Sequence, residues 1–368
     1  MPDTLTTELF FDGDSLHGPT RIVVDGSVVV SIEPHDGDCA HHLVTPGLVD
    51  VQMNGWDEVD CSRADAGMLA RMDSLLALRG TTTWLATLVT APIDRLDASI
   101  AVIAEAIDAG LVPGCAGIHL EGPFLGSAPG AHRPDWIIAP DTAWVERLPS
   151  CVRLVTVGAE SLGSDALVAA LVDRGITVSL GHTRPTHAQY AAMVDRGASM
   201  VTHLFNGMSG VHHRDDGLAL EALMDDRVAT GLVCDLVHVS SKAAALAFRA
   251  KRGRGVVLVS DSVAWNSEWA VARGVSVVDG APRLPDGTLA GSSTELVEGL
   301  RRAVSTVGVD LQTALRAATS APAETIGLDR IGRIRGGVAC DILTFDRDLR
   351  LVPGGCRLVF PRGNESHP

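Results

Sequence analysis

The sequence predicts an α/β chain: a (β/α)8 TIM-like barrel joined to a small β-sandwich built from both termini. Three observations predict it. From Pro46 onward, short apolar, β-branched runs alternate with Ala- and Leu-rich helical stretches, the pattern of parallel strands linked by crossover helices. The two ends are instead Val-rich and broken by turns, with no helix between their strands. Finally, 368 residues that are 46% hydrophobic and 20% charged can build a large barrel with a satellite, and disordered and fibrous classes are excluded.

In chain order, the run 22–32 belongs to the first part of the sandwich. Eight candidate strands follow, at 47–51, 81–88, 114–120, 152–157, 176–180, 199–202, 228–234 and 255–259. Helical segments at 68–78, 93–109, 164–174, 186–195 and 241–252 lie between them. Eight repeats favour a closed barrel over the alternative, an open doubly wound sheet. The tail 337–360 returns to the sandwich, so the barrel, 46–335, is inserted into a domain made of 1–45 and 336–368. With no low-complexity or linker-like tract, the two parts should pack together.

Thirty basic against 45 acidic residues give a net charge of −15, which repels polyanions and excludes a general nucleic-acid or anionic-membrane binder. No segment reaches the roughly 18 uninterrupted apolar residues that a membrane span requires. The expectation is a soluble, cytoplasmic protein. Seven scattered cysteines without a CxxC pair argue against a disulfide framework or a thiolate zinc site. Lysine occurs only at Lys242 and Lys251, so 28 of the 30 basic residues are Arg.

In a barrel, functional groups stand where strands end. Glu121, His182, His203 and Asp261 meet that condition, at the ends of the third, fifth, sixth and eighth strands. Two imidazoles and a carboxylate suit a catalytic divalent ion such as Zn2+, which takes three protein ligands and leaves a position open to water. Either His alone reads better as a core residue bonded to a carbonyl; three groups at strand ends reverse the odds. Asp261 is then the proton acceptor, its alternative being a helix N-cap.

Beyond these residues, PGLVDVQMNG at 46–55, GTTTWLATLVT at 80–90, HLEGPFL at 119–125, GHT at 181–183, THLFNGM at 202–208 and TLAGSSTELVEGLR at 288–301 stand in collinear order. Together with GGVACDILTFD at 336–346, they resemble the N-acetylglucosamine-6-phosphate deacetylases of the amidohydrolase superfamily. The resemblance implies a metal-dependent hydrolase that converts N-acetylglucosamine 6-phosphate to glucosamine 6-phosphate and acetate. Position by position, it makes Glu121, His182 and His203 the metal ligands and Asp261 the catalytic Asp, with His132 polarising the acetyl carbonyl. It gives Asn206, Gly207, Arg214 and His238 to the phosphate and sugar. In that family the Arg can come from the neighbouring subunit, which implies a homodimer.

Several alternatives stand beside these assignments. Arg214 also reads as a solvated charge paired with Asp215 or Asp216, worth about 0–1 kcal/mol. His238 also reads as a capping or packing residue, and His119, two residues before Glu121, reads better as buried than as support for the metal. Many amidohydrolases open with His-x-His and bridge two metals through a carbamylated lysine. Here those positions are Gln52-Met53-Asn54, and both lysines lie between strands seven and eight, which predicts one metal per chain. DSVAWNSEW after Asp261 departs from the small residues expected there, and Trp265 and Trp269 either reshape the sugar pocket, cover the mouth or pack at a dimer contact. Rival readings are a deacetylase of another hexosamine phosphate such as N-acetylgalactosamine 6-phosphate, a cyclic-amide hydrolase of the dihydroorotase kind, and a degenerate sugar-phosphate sensor.

Overall fold

A computed structural model describes residues 2–358. The eight expected strands are all present: β1 (Leu48–Met53), β2 (Thr81–Val89), β3 (Cys115–Glu121), β4 (Val152–Val157), β5 (Thr177–Leu180), β6 (Met200–Val201), β7 (Ala229–Val233) and β8 (Val256–Val259). They form one parallel sheet in sequential order. At its ends Met53 bridges Ser262 in parallel, and the Asp261 amide donates to the Gln52 carbonyl at 3.0 Å, so the sheet curls into a nearly closed barrel.

Strand ends and helix starts follow local chemistry. The connecting helices include Ala66–Leu78, Ile93–Asp108, Ser164–Asp173, His187–Asp195 and Ser241–Ala250. Asp65, Thr186 and Ser240 cap three of them by accepting a backbone N–H, and Gln189 completes a capping box with Thr186. Lys251 follows Ser241–Ala250 and donates to the carbonyls of Ala222 (3.1 Å), Asp225 (2.7 Å) and Val228 (2.6 Å). Val228 precedes β7, so this ammonium ties the end of the barrel opposite the mouth.

Both termini meet in a seven-stranded sheet. Its order is Leu351–Arg357, Ile342–Phe345, His41–Pro46, Asp3–Phe11, Thr20–Asp25 and Val28–Pro34, with Leu16–His17 alongside Asp3–Phe11. Ile342–Phe345 pairs antiparallel with His41–Pro46, the strand that leads into β1. Leu5, Phe10, Ile22, Val24, Val44 and Ile342 give this sheet its own apolar cluster. Residues 359–368 of the expected satellite lie outside the described residues. Among the described residues, no helix is long and apolar enough to cross a membrane.

Candidate metal centre and active site

The barrel interior is polar just below its mouth. His119 is buried, with Nδ1 3.2 Å from the Thr87 hydroxyl and Nε2 2.8 Å from that of Thr156. Thr156, Thr202 and Ser179 continue the chain of hydroxyls at 2.8 and 2.6 Å. Burial pushes His119 down to about 4, so it is a neutral link in this layer, both ring nitrogens engaged by hydroxyls.

Above the layer, Glu121 ends β3, and His182, His203 and Asp261 each stand two residues past the ends of β5, β6 and β8. These three have φ of +50°, +30° and +49°. A positive φ is unfavourable for any residue with a Cβ, and its recurrence at one offset on three strands is backbone strain concentrated at the mouth.

Glu121 Oε1 lies 3.0 Å from His182 Nε2 and 3.0 Å from His203 Nε2, and those two nitrogens are 3.0 Å apart. His132, from the loop after β3, joins them, its Nε2 3.1 Å from His182 Nε2 and 3.8 Å from Glu121 Oε1. The structure therefore gathers all three expected ligands and brings His132 within ligand distance. The ligand atoms of Glu121, His132 and His182 lie within 4.8 Å of one another.

Protons alone do not satisfy this cluster. His182 Nδ1 donates to the Ala128 carbonyl at 3.0 Å, which leaves a lone pair on Nε2 of the neutral ring. That lone pair faces other imidazole nitrogens and a carboxylate. The Nδ1 atoms of His132 and His203 are buried with no partner among the described residues. One carboxylate oxygen and several imidazole nitrogens converging on one point are a donor set that fits a divalent ion, with the Ala128 carbonyl fixing the orientation of one ring.

Charge follows the same geometry. Burial would raise Glu121, but the imidazoles of His132, His182 and His203 gathered around it hold it well below the usual carboxylate range. Burial depresses His203, yet the bond to Glu121 and its charge outweigh this and lift the ring to about 9. His182 is pushed down to about 4 by burial and by His132.

Asp261 is buried, and burial together with the charge of Glu121 raises it to about 6. Its Oδ1 accepts from Gln52 Nε2 at 3.1 Å and Asn54 Nδ2 at 2.9 Å. Both amides thus turn N–H groups toward carboxylates. Gln52 Nε2 also lies 3.5 Å from Glu121 Oε2.

A cavity of about 740 Å³, counted to its open mouth, joins these groups to Asn206, Gly207, His238 and the segment 288–291. Gly207 has φ +58°, and a Cβ there would lie 2.8 Å from His182 Nδ1, so both the turn and the ring require glycine. The Asn206 amide donates to the His203 and Leu204 carbonyls at 3.3 Å each. His238 Nδ1 donates to Asp235 Oδ2 at 2.6 Å, which leaves Nε2 as the ring's other polar atom. Arg214 is not brought to this cavity: it lies on an exposed loop, with Nε donating to His213 Nε2 at 3.0 Å, and His212 rather than Arg214 pairs with Asp215. Trp265 packs edge-on against Trp56 at 4.8 Å, whereas Trp269 lines an adjoining chamber.

Sequence reasoning missed the roles of Gln52, Asn54 and Asp235. A signal existed for the first two. Asp50, Gln52 and Asn54 alternate along an otherwise apolar strand, the spacing of one strand face. Asp235 stands three residues before His238, a separation at which Asp closes a local turn.

Comparison with known proteins places this geometry. The family model described as "Amidohydrolase family" matches residues 43–360. The N-acetylglucosamine-6-phosphate deacetylase of Bacillus subtilis is 30% identical over 334 residues, 86% of this chain and 84% of that protein. The N-acetylgalactosamine-6-phosphate deacetylase of a Shewanella species is 32% identical over 338 residues, 86% of this chain and 83% of that one. Among solved structures, an Asp-to-Ala mutant of N-acetyl-D-glucosamine-6-phosphate deacetylase from Mycobacterium smegmatis, in complex with N-acetyl-D-glucosamine-6-phosphate, superposes with a TM-score of 0.87. It is 29% identical, with 96% of this chain and 98% of that one covered. The enzyme of that name from Thermotoga maritima also superposes with a TM-score of 0.87, at 26% identity and with 96% and 99% covered. Amidohydrolases are metal-dependent, and this structure holds a Glu/His/His cluster suited to the ion. The chain belongs to the amidohydrolase family, among the N-acetylglucosamine-6-phosphate and N-acetylgalactosamine-6-phosphate deacetylases.

Proposed function

We propose that this chain hydrolyses the acetamide of N-acetylglucosamine 6-phosphate to glucosamine 6-phosphate and acetate, with one Zn2+ per chain, in a cytoplasmic homodimer. The observation that carries this reading is the convergence of Glu121, His182 and His203 at 3.0 Å beside an Asp261 clamped by two amides. Glu121, His182 and His203 would hold the ion, which when bound polarises the amide carbonyl and acidifies water. A single ion is supported by Gln52 and Asn54, whose N–H groups face the carboxylates, and by Lys251, which is tied to carbonyls at the far end of the barrel.

The remaining steps belong to this chain's side chains. Gln52 and Asn54 hold Asp261 by Oδ1, so its other oxygen takes the proton of the attacking water and returns it to the departing amine. A carboxyl at about 6 is well matched to exchanging a proton in both directions near neutrality. His132 donates to the carbonyl oxygen as negative charge develops there. Asn206, the Gly207 backbone and His238 orient the sugar phosphate, and the partner subunit's Arg214 completes the phosphate site. Binding at the phosphate thereby positions the distant amide.

The similarity to an N-acetylgalactosamine-6-phosphate deacetylase favours the C4 epimer as a second substrate. Acetate release by the purified protein from each epimer, with elemental analysis of the same sample, tests the reading. Turnover of the gluco compound with one metal per chain is expected. Faster turnover of the galacto compound moves the assignment to the epimer, and no turnover of either overturns it.

A further inference from the structure

The cavity continues past the reacting centre. A second chamber, about 840 Å³ including its mouth, shares Asn54, Val89, His132, Val263 and Ala290 with the first but touches none of Asn206, Gly207 and His238. With the phosphate at Asn206, Gly207 and His238 as proposed above, the chamber lies away from the phosphate, beyond His132, where the acyl group of the amide would point. An acetyl group would send only a methyl into it, whereas eighteen residues line it.

Its walls are apolar and its rim is cationic. Ala264, Ala270 and Leu284 line it together with the rings of Trp136 and Trp269. The Cζ atoms of Arg63 and Arg273 lie 5.1 and 4.7 Å from the Trp269 ring centre, and that of Arg133 lies 4.5 Å from the Trp136 ring centre. Arg133 is paired with Asp135, but among the described residues Arg63 and Arg273 make no ion pair. The three guanidinium groups are exposed at the rim, and partial desolvation with the charges of Arg133 and Arg63 lowers Arg273. The carboxylate in the lining, Asp60, is half-buried and lies within electrostatic reach of Arg63, with Oδ1 taken up by the Ser62 amide and hydroxyl. In a chain of net charge −15, a group of cations against flat rings complements an anion that enters along an apolar channel.

We propose that this chamber receives the acyl arm of the substrate, and that the enzyme cleaves hexosamine-phosphate amides whose acyl chain is longer than acetyl and ends in a carboxylate, as in a succinyl half-amide. The proposal rests on the reading of the cavity as a hexosamine-phosphate amide hydrolase. In the reaction the amide C–N bond breaks, the OH of water joins the acyl carbon and its proton joins the nitrogen. The products are the amino-sugar phosphate and a dicarboxylate.

The test compares kcat/KM for the N-acetyl, N-butyryl and N-succinyl derivatives of glucosamine 6-phosphate, using wild-type enzyme and Arg273→Gln. The N-succinyl compound is expected to match or exceed the N-acetyl one and to exceed the N-butyryl one at least tenfold. Arg273→Gln is expected to lower the succinyl-to-acetyl ratio at least tenfold. If the acetyl compound is cleaved and the succinyl compound is ten or more times slower, the chamber does not take the acyl arm and the proposal falls, as it would if a partner subunit filled that space. A ratio unchanged by Arg273→Gln also overturns it. Cleavage of none of the three instead removes the hydrolase reading beneath it.

Discussion

Replacing Asp261 with Asn tests the mechanism while leaving the shape of the site nearly intact. Asn keeps an Oδ1 able to accept the Gln52 and Asn54 N–H groups, which stand at 3.1 and 2.9 Å, and it loses only the negative charge and the second proton-accepting oxygen. A positioned acid or base contributes about 10²–10⁴ in rate, or about 3–5 kcal/mol at about 1.4 kcal/mol per tenfold. Asp261 handles the proton both on attack and on departure, so a loss of kcat of about 10³ or more is expected. No imidazole of the cluster pairs with Asp261 among the described residues, so metal content should stay at one per chain and KM within about threefold. Burial disfavours the ionised carboxylate, and removing that charge should leave the thermal midpoint unchanged or higher. Steady-state acetate release, elemental analysis and a melting curve on one preparation decide the matter. Turnover within tenfold of wild type at full metal loading would refute the proton-transfer role, and joint loss of metal and turnover would make Asp261 a ligand.

Gly207→Ala should cut kcat/KM at least 100-fold and lower metal content, because the new Cβ would sit 2.8 Å from His182 Nδ1; normal activity would show that the ring has room to move. Lys251→Met leaves the carbonyls of Ala222, Asp225 and Val228 without their donor and should cost about 2–4 kcal/mol in denaturant unfolding, with kcat and KM unchanged. Lost activity at unchanged stability would contradict it. Asp50 is buried with Oδ2 unpartnered among the described residues, and burial raises it from its ordinary 3.8 to about 7. The folded state therefore holds a proton that the unfolded chain releases near pH 4, so this contribution to stability is complete below about 4 and lost as pH rises through about 7. The rise corresponds to on the order of 4 kcal/mol. Asp50→Asn should flatten that slope, so the variant gains on wild type between pH 5 and pH 8 in unfolding of the metal-free protein; parallel curves would refute it.

Much of this molecule is legible in its sequence. The eight strands and the helices between them follow from residues within each segment, since burial imposes a period of two or a continuous apolar run on a strand and 3.6 on a helix. Glu121, His182, His203 and Asp261 stand out because ionisable residues rarely follow such runs without a purpose. Their roles as metal ligands and proton acceptor follow from residue type and strand-end position, whereas those of His132, Asn206, Gly207, Arg214 and His238 came with the resemblance to deacetylases.

Tertiary structure decided the rest. That His132 comes within 3.1 Å of His182, that Gln52 and Asn54 clamp an Asp more than 200 residues away, and that Arg214 stays off its own chain's cavity all depend on how distant loops fall around a nearly closed barrel. So does the chamber between Trp136 and Trp269. The positive φ of His182, His203 and Asp261 has no signature in residue type, because only the surrounding packing holds such strain in place. By itself the sequence determined where the strands run and which groups they carry to the mouth, because those patterns arise among neighbours along the chain. Contacts between groups far apart in sequence are set by barrel closure and register, which no local pattern contains.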